Sequence, residues 1–142
     1  MKNSYYSQYK TTHIAIDNGK ITYHEKPNFI EGTRDLGFDL EPVFCGGSDY
    51  WMQQREQWHS GANFFAFAPG KVLSYARNIH TLEELSKNGF EVVQANDFIS
   101  GKADATVYGD SPCVITIDGS ELPRGGGGAR CMTMPLSRNN IQ

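Results

Sequence analysis

The apolar positions of this chain fall in short runs broken by turn residues, and the same order of runs occurs twice. Residues 13–17 and 20–24 predict two strands around Asp17-Asn18-Gly19. Asn-Gly favours a hairpin because both residues tolerate positive φ. Residues 64–68 and 71–75 predict a second pair around Pro69-Gly70. A short helix opened by Pro27 follows the first hairpin and ends near Leu36, although Gly32 lowers its propensity. After the second hairpin, Thr81-Leu82-Glu83-Glu84 has a capping-box pattern with Thr81 as N-cap, and Leu82 and Leu85 face inward. Gly37 and Gly89 stand where each helix should end in a left-handed residue. Third strands are expected at 41–45 and 90–94.

Identical residues reinforce the repeat. Residues 15–21 align with 66–72 and Leu36-Gly37-Phe38 aligns with Asn88-Gly89-Phe90, so that Ala, Gly, Lys, Gly and Phe coincide. Each copy reads β-β-α-β. One such module has a single helix for three strands and cannot cover its own apolar faces, a problem that repetition around a common axis solves. Two modules do not close a ring. The expected fold class is therefore α/β, either part of a larger propeller-like enzyme or a chain that oligomerises over exposed strand edges.

The expected organisation is a leader at 1–12, a first ββαβ module at 13–45, a connector at 46–62 and a second module at 63–94. A polar insertion with one helical turn follows at 95–112, and C-terminal strands occupy 113–142. Within the last segment, 113–118 reads as a buried strand and 131–136 as a final extended stretch. Tyr5, Tyr6 and Tyr9 alternate with polar residues, as in an edge strand or a disordered leader.

Composition narrows the functional classes. The 142 residues carry a formal net charge of −3 and no basic cluster, which excludes an electrostatic partner such as nucleic acid or an anionic membrane. With 7 Tyr, 8 Phe and 2 Trp the chain has ample apolar material for a core. No apolar run is long enough to span a bilayer, and the N-terminal residues lack the apolar core of a secretory signal. The three cysteines, Cys45, Cys113 and Cys131, form no metal-ligand spacing, so no metal, no other cofactor and no disulfide framework is expected. Reduced thiols suit a cytoplasmic protein.

The chemistry concentrates in Pro123-Arg-Gly-Gly-Gly-Gly-Ala-Arg-Cys-Met-Thr-Met-Pro-Leu-Ser-Arg138. Four consecutive glycines, Gly125, Gly126, Gly127 and Gly128, contribute nothing to packing and cost conformational entropy. They permit close approach of the backbone to a ligand and let N–H groups converge on developing charge. Cys131 lies three residues beyond, placed as a nucleophile, with Arg130 beside it to lower its pKa. The structural alternative is a flexible loop before a buried cysteine. Other candidates read as structural: Arg55, Glu56 and Trp58 as a packed corner with a surface ion pair, His59 as a surface loop residue and Asn63 as a turn or cap. Cys45 reads as a small buried apolar residue and Cys113 as core.

This segment resembles the C-terminal nucleophile motif of arginine deiminases. Cys45-Gly-Gly47, Arg55-Glu-Gln-Trp58, Gly61-Ala-Asn63, Ala66, Pro69-Gly70, Val72, Tyr75-Ala-Arg-Asn78, Gly89-Phe-Glu-Val92 and Gly119-Ser-Glu-Leu122 resemble that family too, in the same order across residues 36 to 138. The resemblance implies a pentein-like α/β propeller of five modules, of which about two are present, this chain being the C-terminal part. It implies hydrolysis of L-arginine to L-citrulline and ammonia through a Cys-bound thiouronium, without cofactor, with Cys131 as nucleophile and residues 125–128 as the loop over the substrate. Arg124, the basic residue of that loop, is a candidate for binding the substrate's carboxylate, with Gly126 standing where many members carry an arginine nearer the cysteine.

The family's catalytic His-x-Asp is missing, since His13, His24, His59 and His80 are followed two residues on by Ala15, Lys26, Gly61 and Leu82. Its guanidinium-binding carboxylates belong to upstream modules. The isolated chain is therefore expected to be inactive, with the N-terminal modules of a parent protein, or further copies in a homo-oligomer, as its partners. The alternatives are a non-catalytic half-propeller for binding or assembly, and a related guanidine hydrolase such as agmatine deiminase.

Overall fold

A computed structural model describes residues 9–137, and the chain divides into two compact units between Pro42 and Val43. Of the expected leader, Tyr5 and Tyr6 lie outside the described residues, while Thr11 and Thr12 already belong to the first strand.

In the first unit, β1 (Thr11–Asp17) and β2 (Lys20–Lys26) pair antiparallel through the two-residue turn Asn18-Gly19, with φ of 48° and 79°. Two left-handed residues match the twist of the flanking strands, which is why Asn-Gly is used there. Helix α1 (Phe29–Arg34) starts after Asn28 rather than at Pro27, because the Asn28 side-chain oxygen accepts the Glu31 N–H at 3.0 Å. It ends as the sequence predicts. Gly37 takes φ 88°, its N–H donates to the Arg34 carbonyl, and the Phe38 N–H donates to Thr33. Gly32 faces Thr11 and Lys26, so the helix approaches the hairpin through its smallest residue. The opposite hairpin face carries the cross-strand pairs Ile16–Ile21 and Ile14–Tyr23, all exposed. The strand expected at 41–45 does not form. Pro42 offers no N–H to a ladder, and the Gly47 N–H closes a turn on the Phe44 carbonyl instead.

The second unit begins with a helix that the sequence reading treats as connector, α2 (Tyr50–Trp58), whose N-cap Asp49 accepts the Met52 N–H at 3.0 Å. Next come β3 (Phe65–Ala68) and β4 (Lys71–Tyr75), then α3 (Ile79–Lys87) and β5 (Glu91–Gln94). Thr81 is not the N-cap of α3. The helix begins after Asn78 and Thr81 sits in its first turn. Residues 95–112 form α4 (Ala95–Ile99) and α5 (Asp104–Tyr108) before β6 (Cys113–Ile117).

The sheet order is β3-β4-β6-β5, antiparallel between β3 and β4 and parallel elsewhere. Strand β5 therefore does not pair with the hairpin of its own repeat, because β6 inserts between them. Cys113, Val114 and Ile115 are apolar on both faces, which suits a central parallel strand. On one face Val114 packs with Leu82 and Leu85 of α3, and with Phe64, Val72 and Phe90. On the other, Cys113, Ile115 and Val93 pack with Val107, Phe98, Ala95 and Ala103. The stretch expected as a polar surface excursion thus covers the second face of the sheet. Its apolar residues recur at helical spacing, and buried Lys71 ties it down by donating to the Thr106 and Ser111 carbonyls. Among the described residues no helix is long and apolar enough to cross a membrane.

Candidate functional site

After β6 the chain makes a single-turn 3-10 helix, Leu122–Gly125, crosses the glycine run and makes a second, Arg130–Met132. Residue 131 is therefore in a tight turn rather than the extended segment expected, and the Cys131 N–H bonds the Gly128 carbonyl at 3.1 Å. The Cys131 side chain is exposed, and its Sγ accepts from Asn63 Nδ2 at 2.9 Å.

A thiol so placed titrates below its ordinary range. The largest cause is a hydrogen bond with the Gly128 backbone, the next is the Asn63 amide, and the Arg130 charge contributes less than either. Each favours the negative sulfur over the neutral one. Arg130, the neighbour that the sequence singles out, therefore acts in the expected direction as the minor partner.

The glycines divide their work. Gly127 has φ 94°, and a Cβ there would stand 3.2 Å from Cys131 Cβ. A Cβ on Gly128 would stand 2.5 Å from Asn63 Cβ, inside any allowed contact, so only glycine lets Asn63 reach the sulfur. Gly125 and Gly126 border open space, Gly126 with φ 80°. Arg124, on the first 3-10 turn, is exposed and ion-paired with Glu121 at 2.9 Å.

Asn63 is positioned by the end of α2. Ser60 adopts φ 59°, the Gly61 N–H bonds Glu56 O at 2.7 Å, and the Ser60 N–H bonds Gln57 O at 3.2 Å. This is the terminating turn of α1 again, with serine in the left-handed place. The Asn63 N–H then bonds Ser60 O at 3.0 Å, and Asn78 Nδ2 donates to His59 O at 3.1 Å.

Beneath this turn lies Glu56, 1% exposed. Its Oε1 accepts the His80 N–H at 3.0 Å, and its Oε2 accepts the Thr81 N–H at 2.8 Å and the Thr81 hydroxyl at 2.6 Å. The surface ion pair expected of Arg55 and Glu56 is thus replaced by a buried carboxylate on the N-terminus of α3, where free N–H groups and the helix dipole favour negative charge. Trp58, expected in a packed corner, is 82% exposed. His59 is exposed at the C-cap of α2.

Cys45 is half-buried 3.5 Å from Thr81 Oγ1, and its thiol is pushed up, chiefly by burial. Cys113 is fully buried in the sheet. Tyr75 is also buried, its ring so close to Gly119 that a Cβ there would stand 2.6 Å away. Burial raises its phenol, and the Cys131 charge adds to that. The buried atoms Tyr75 OH, Asn63 Oδ1 and Asn78 Oδ1 have no hydrogen-bond partner among the described residues. No group of three or more His, Cys, Asp or Glu able to hold a metal ion occurs among the described residues.

The structure thus joins Cys131 to the glycine run and adds Asn63, which the sequence reading takes for a turn or cap. A helix end at 56–61 followed by Asn63 hints at an ordered side chain, but nothing local connects it with a residue 68 positions away.

A family model described as "Arginine deiminase" matches residues 8–138. The arginine deiminase of Mycoplasma capricolum subsp. capricolum is 39% identical over 136 residues, 90% of this chain and 28% of that protein. The arginine deiminase of Borrelia garinii subsp. bavariensis is 34% identical over 139 residues, 96% of this chain and 28% of that protein. The arginine deiminase of Listeria innocua serovar 6a is 41% identical over 104 residues, 73% of this chain and 20% of that protein. The chain spans less than a third of the length of each of these relatives.

Proposed function

We infer, because this chain belongs to the arginine deiminase family, that Cys131 is the nucleophile with which a longer protein hydrolyses the guanidinium carbon–nitrogen bond of L-arginine. The observation that carries this reading is the exposed Cys131 sulfur, hydrogen-bonded by Asn63 Nδ2 at 2.9 Å beside a loop without side chains.

A guanidinium is resonance-stabilised and a poor electrophile, so attack in two covalent steps lowers the barrier. The thiolate forms a bond to the central carbon and a carbon–nitrogen bond breaks. The departing nitrogen takes up protons and leaves as ammonia. Water then adds to the S-alkylthiouronium, the carbon–sulfur bond breaks, and citrulline and the thiolate are released. Proton transfer and capture of the cation need a general acid–base and carboxylates. We assign these to parts of the protein outside this chain, which serves as a C-terminal portion of a pentein-like propeller in the cytoplasm. Residues 125–128 form the wall over the substrate. Arg124 is available to its carboxylate on exchanging partners from Glu121.

Two measurements on the purified 142-residue chain test this. Incubated with L-arginine alone, it is expected to release no citrulline. Treated with 2-chloroacetamidine, it is expected to be alkylated at Cys131 ahead of Cys45 and Cys113, and Cys131→Ser removes that label. Robust citrulline release would overturn the dependence on other modules, and labelling that spares Cys131 would overturn the nucleophile assignment.

A further inference from the structure

We propose that Asn63 is a catalytic residue of this site, its amide divided between nucleophile and substrate: Nδ2 donates to the Cys131 sulfur, and Oδ1 receives an N–H of the planar cation that the sulfur attacks. The proposal rests on the reading of Cys131 given above and adds a second residue to it.

Three observations carry it. First, Nδ2 lies 2.9 Å from Sγ, a short contact for nitrogen on sulfur and the geometry of a donor serving a charged acceptor. Second, Asn63 Oδ1 is buried and unpartnered among the described residues. An acceptor denied water is costly unless a donor arrives. Both atoms sit on one amide carbon, so an unsatisfied acceptor stands next to the donor that serves the sulfur. A guanidinium or amidinium carries N–H groups in the plane around its electrophilic carbon and can supply that donor. A neutral carbonyl compound without an N–H cannot.

Third, the amide is held in place. The position of a Gly128 Cβ would lie 2.5, 2.7 and 2.9 Å from Asn63 Cβ, Cγ and Oδ1, so the loop backbone closes against the whole side chain. On the other side, the Asn63 N–H is fixed to Ser60 O at 3.0 Å, in a turn whose left-handed serine is anchored through Gly61 on Glu56. The charged and titratable groups that act on the sulfur are Arg130, which stabilises the thiolate, and Tyr75, whose phenol its charge disfavours from ionising. Arg130 offers no acceptor to an incoming cation. Asn63 Oδ1 does.

The full 142-residue chain supports the test without any turnover. Rates of Cys131 alkylation are measured against pH by mass spectrometry with two probes, cationic 2-chloroacetamidine and neutral N,N-dimethyl-2-iodoacetamide, which carries no N–H. In each case a sulfur–carbon bond forms, the carbon–halogen bond breaks and halide leaves with the electron pair. Asn63→Leu removes donor and acceptor at similar size. Asn63→Asp removes the donor and keeps an acceptor. Both are expected to raise the pH midpoint of labelling by the neutral probe by about one unit, a tenfold change in ionisation. The ratio of cationic-probe to neutral-probe rates is expected to fall about tenfold in Asn63→Leu and to hold or rise in Asn63→Asp.

Continued protection of Cys113 checks that each variant is folded, and the near-isosteric Asn63→Asp decides alone if Asn63→Leu unfolds. An unchanged midpoint and ratio in the variants would overturn the proposal. So would an equal loss of ratio in both variants, which marks a packing role, or a lowered midpoint, which would mean that Oδ1 faces an S–H. Wild-type chain that fails to take chloroacetamidine at Cys131 would instead overturn the underlying nucleophile reading.

Discussion

Two cysteines of this chain are driven in opposite directions by their surroundings. Cys131 receives N–H donors from Gly128 and Asn63 in the open, which stabilise its thiolate, whereas Cys45 is half-buried with the Glu56 carboxylate nearby, which disfavours its thiolate. Only the thiolate reacts with alkylators, and a lowered pKa brings it into being at lower pH. As pH rises, iodoacetamide should therefore label Cys131 well before Cys45, and Cys113 only on unfolding. Peptide mapping across the pH series reads this directly, and co-labelling of Cys45 and Cys131 at one midpoint would contradict the assigned environments.

Each of the helices α1, α2 and α3 ends in the same turn, an N–H to a carbonyl five residues back nested over one three residues back, around Gly37, Ser60 and Gly89. That turn sets the angle at which the chain leaves the helix, and after α2 it carries the backbone directly to Asn63. The starts of the helices differ more. Asn78 gives α3 no side-chain cap, and Glu56 reaches in from α2 to take its first N–H groups. Glu56→Ala leaves two backbone N–H groups and the Thr81 hydroxyl without that acceptor. A loss of about 3 kcal/mol in unfolding free energy by urea titration is expected, since hydrogen bonds to a buried charged group are worth more than neutral ones. A change within experimental error would show that the α2–α3 junction does not depend on this carboxylate.

Over the whole chain the two units differ sharply in how much they bury. The second has a parallel central strand covered on both faces, with Cys113 and Val114 fully buried. The first is a two-stranded hairpin with a six-residue helix, and its Ile14, Ile16, Ile21 and Tyr23 are exposed. A hairpin of two strands is marginal without apolar cover. Amide hydrogen exchange on this chain should therefore run much faster in β1 and β2 than in β6, because local opening costs least where little apolar surface is buried. Equal protection in both would mean that the hairpin is covered in solution.

The linear sequence determined what depends on neighbours along the chain. Both hairpins, the glycine-ended helices α1 and α3, the apolar strand at Cys113 and the glycine run before Cys131 were legible, because turn chemistry and apolar patterning act over a few residues. Helix α2 and the inward turn of Glu56 were not, since a helix rich in Gln, Arg and Glu advertises a solvated face and its partner is an N-terminus two dozen residues away. The insertion of β6 between β4 and β5, and the meeting of Asn63 with Cys131, belong to tertiary structure alone. Strand order and a hydrogen bond across 68 residues are fixed only when the sheet closes and Gly128 comes to rest on Asn63, a contact that leaves no periodic trace in either segment.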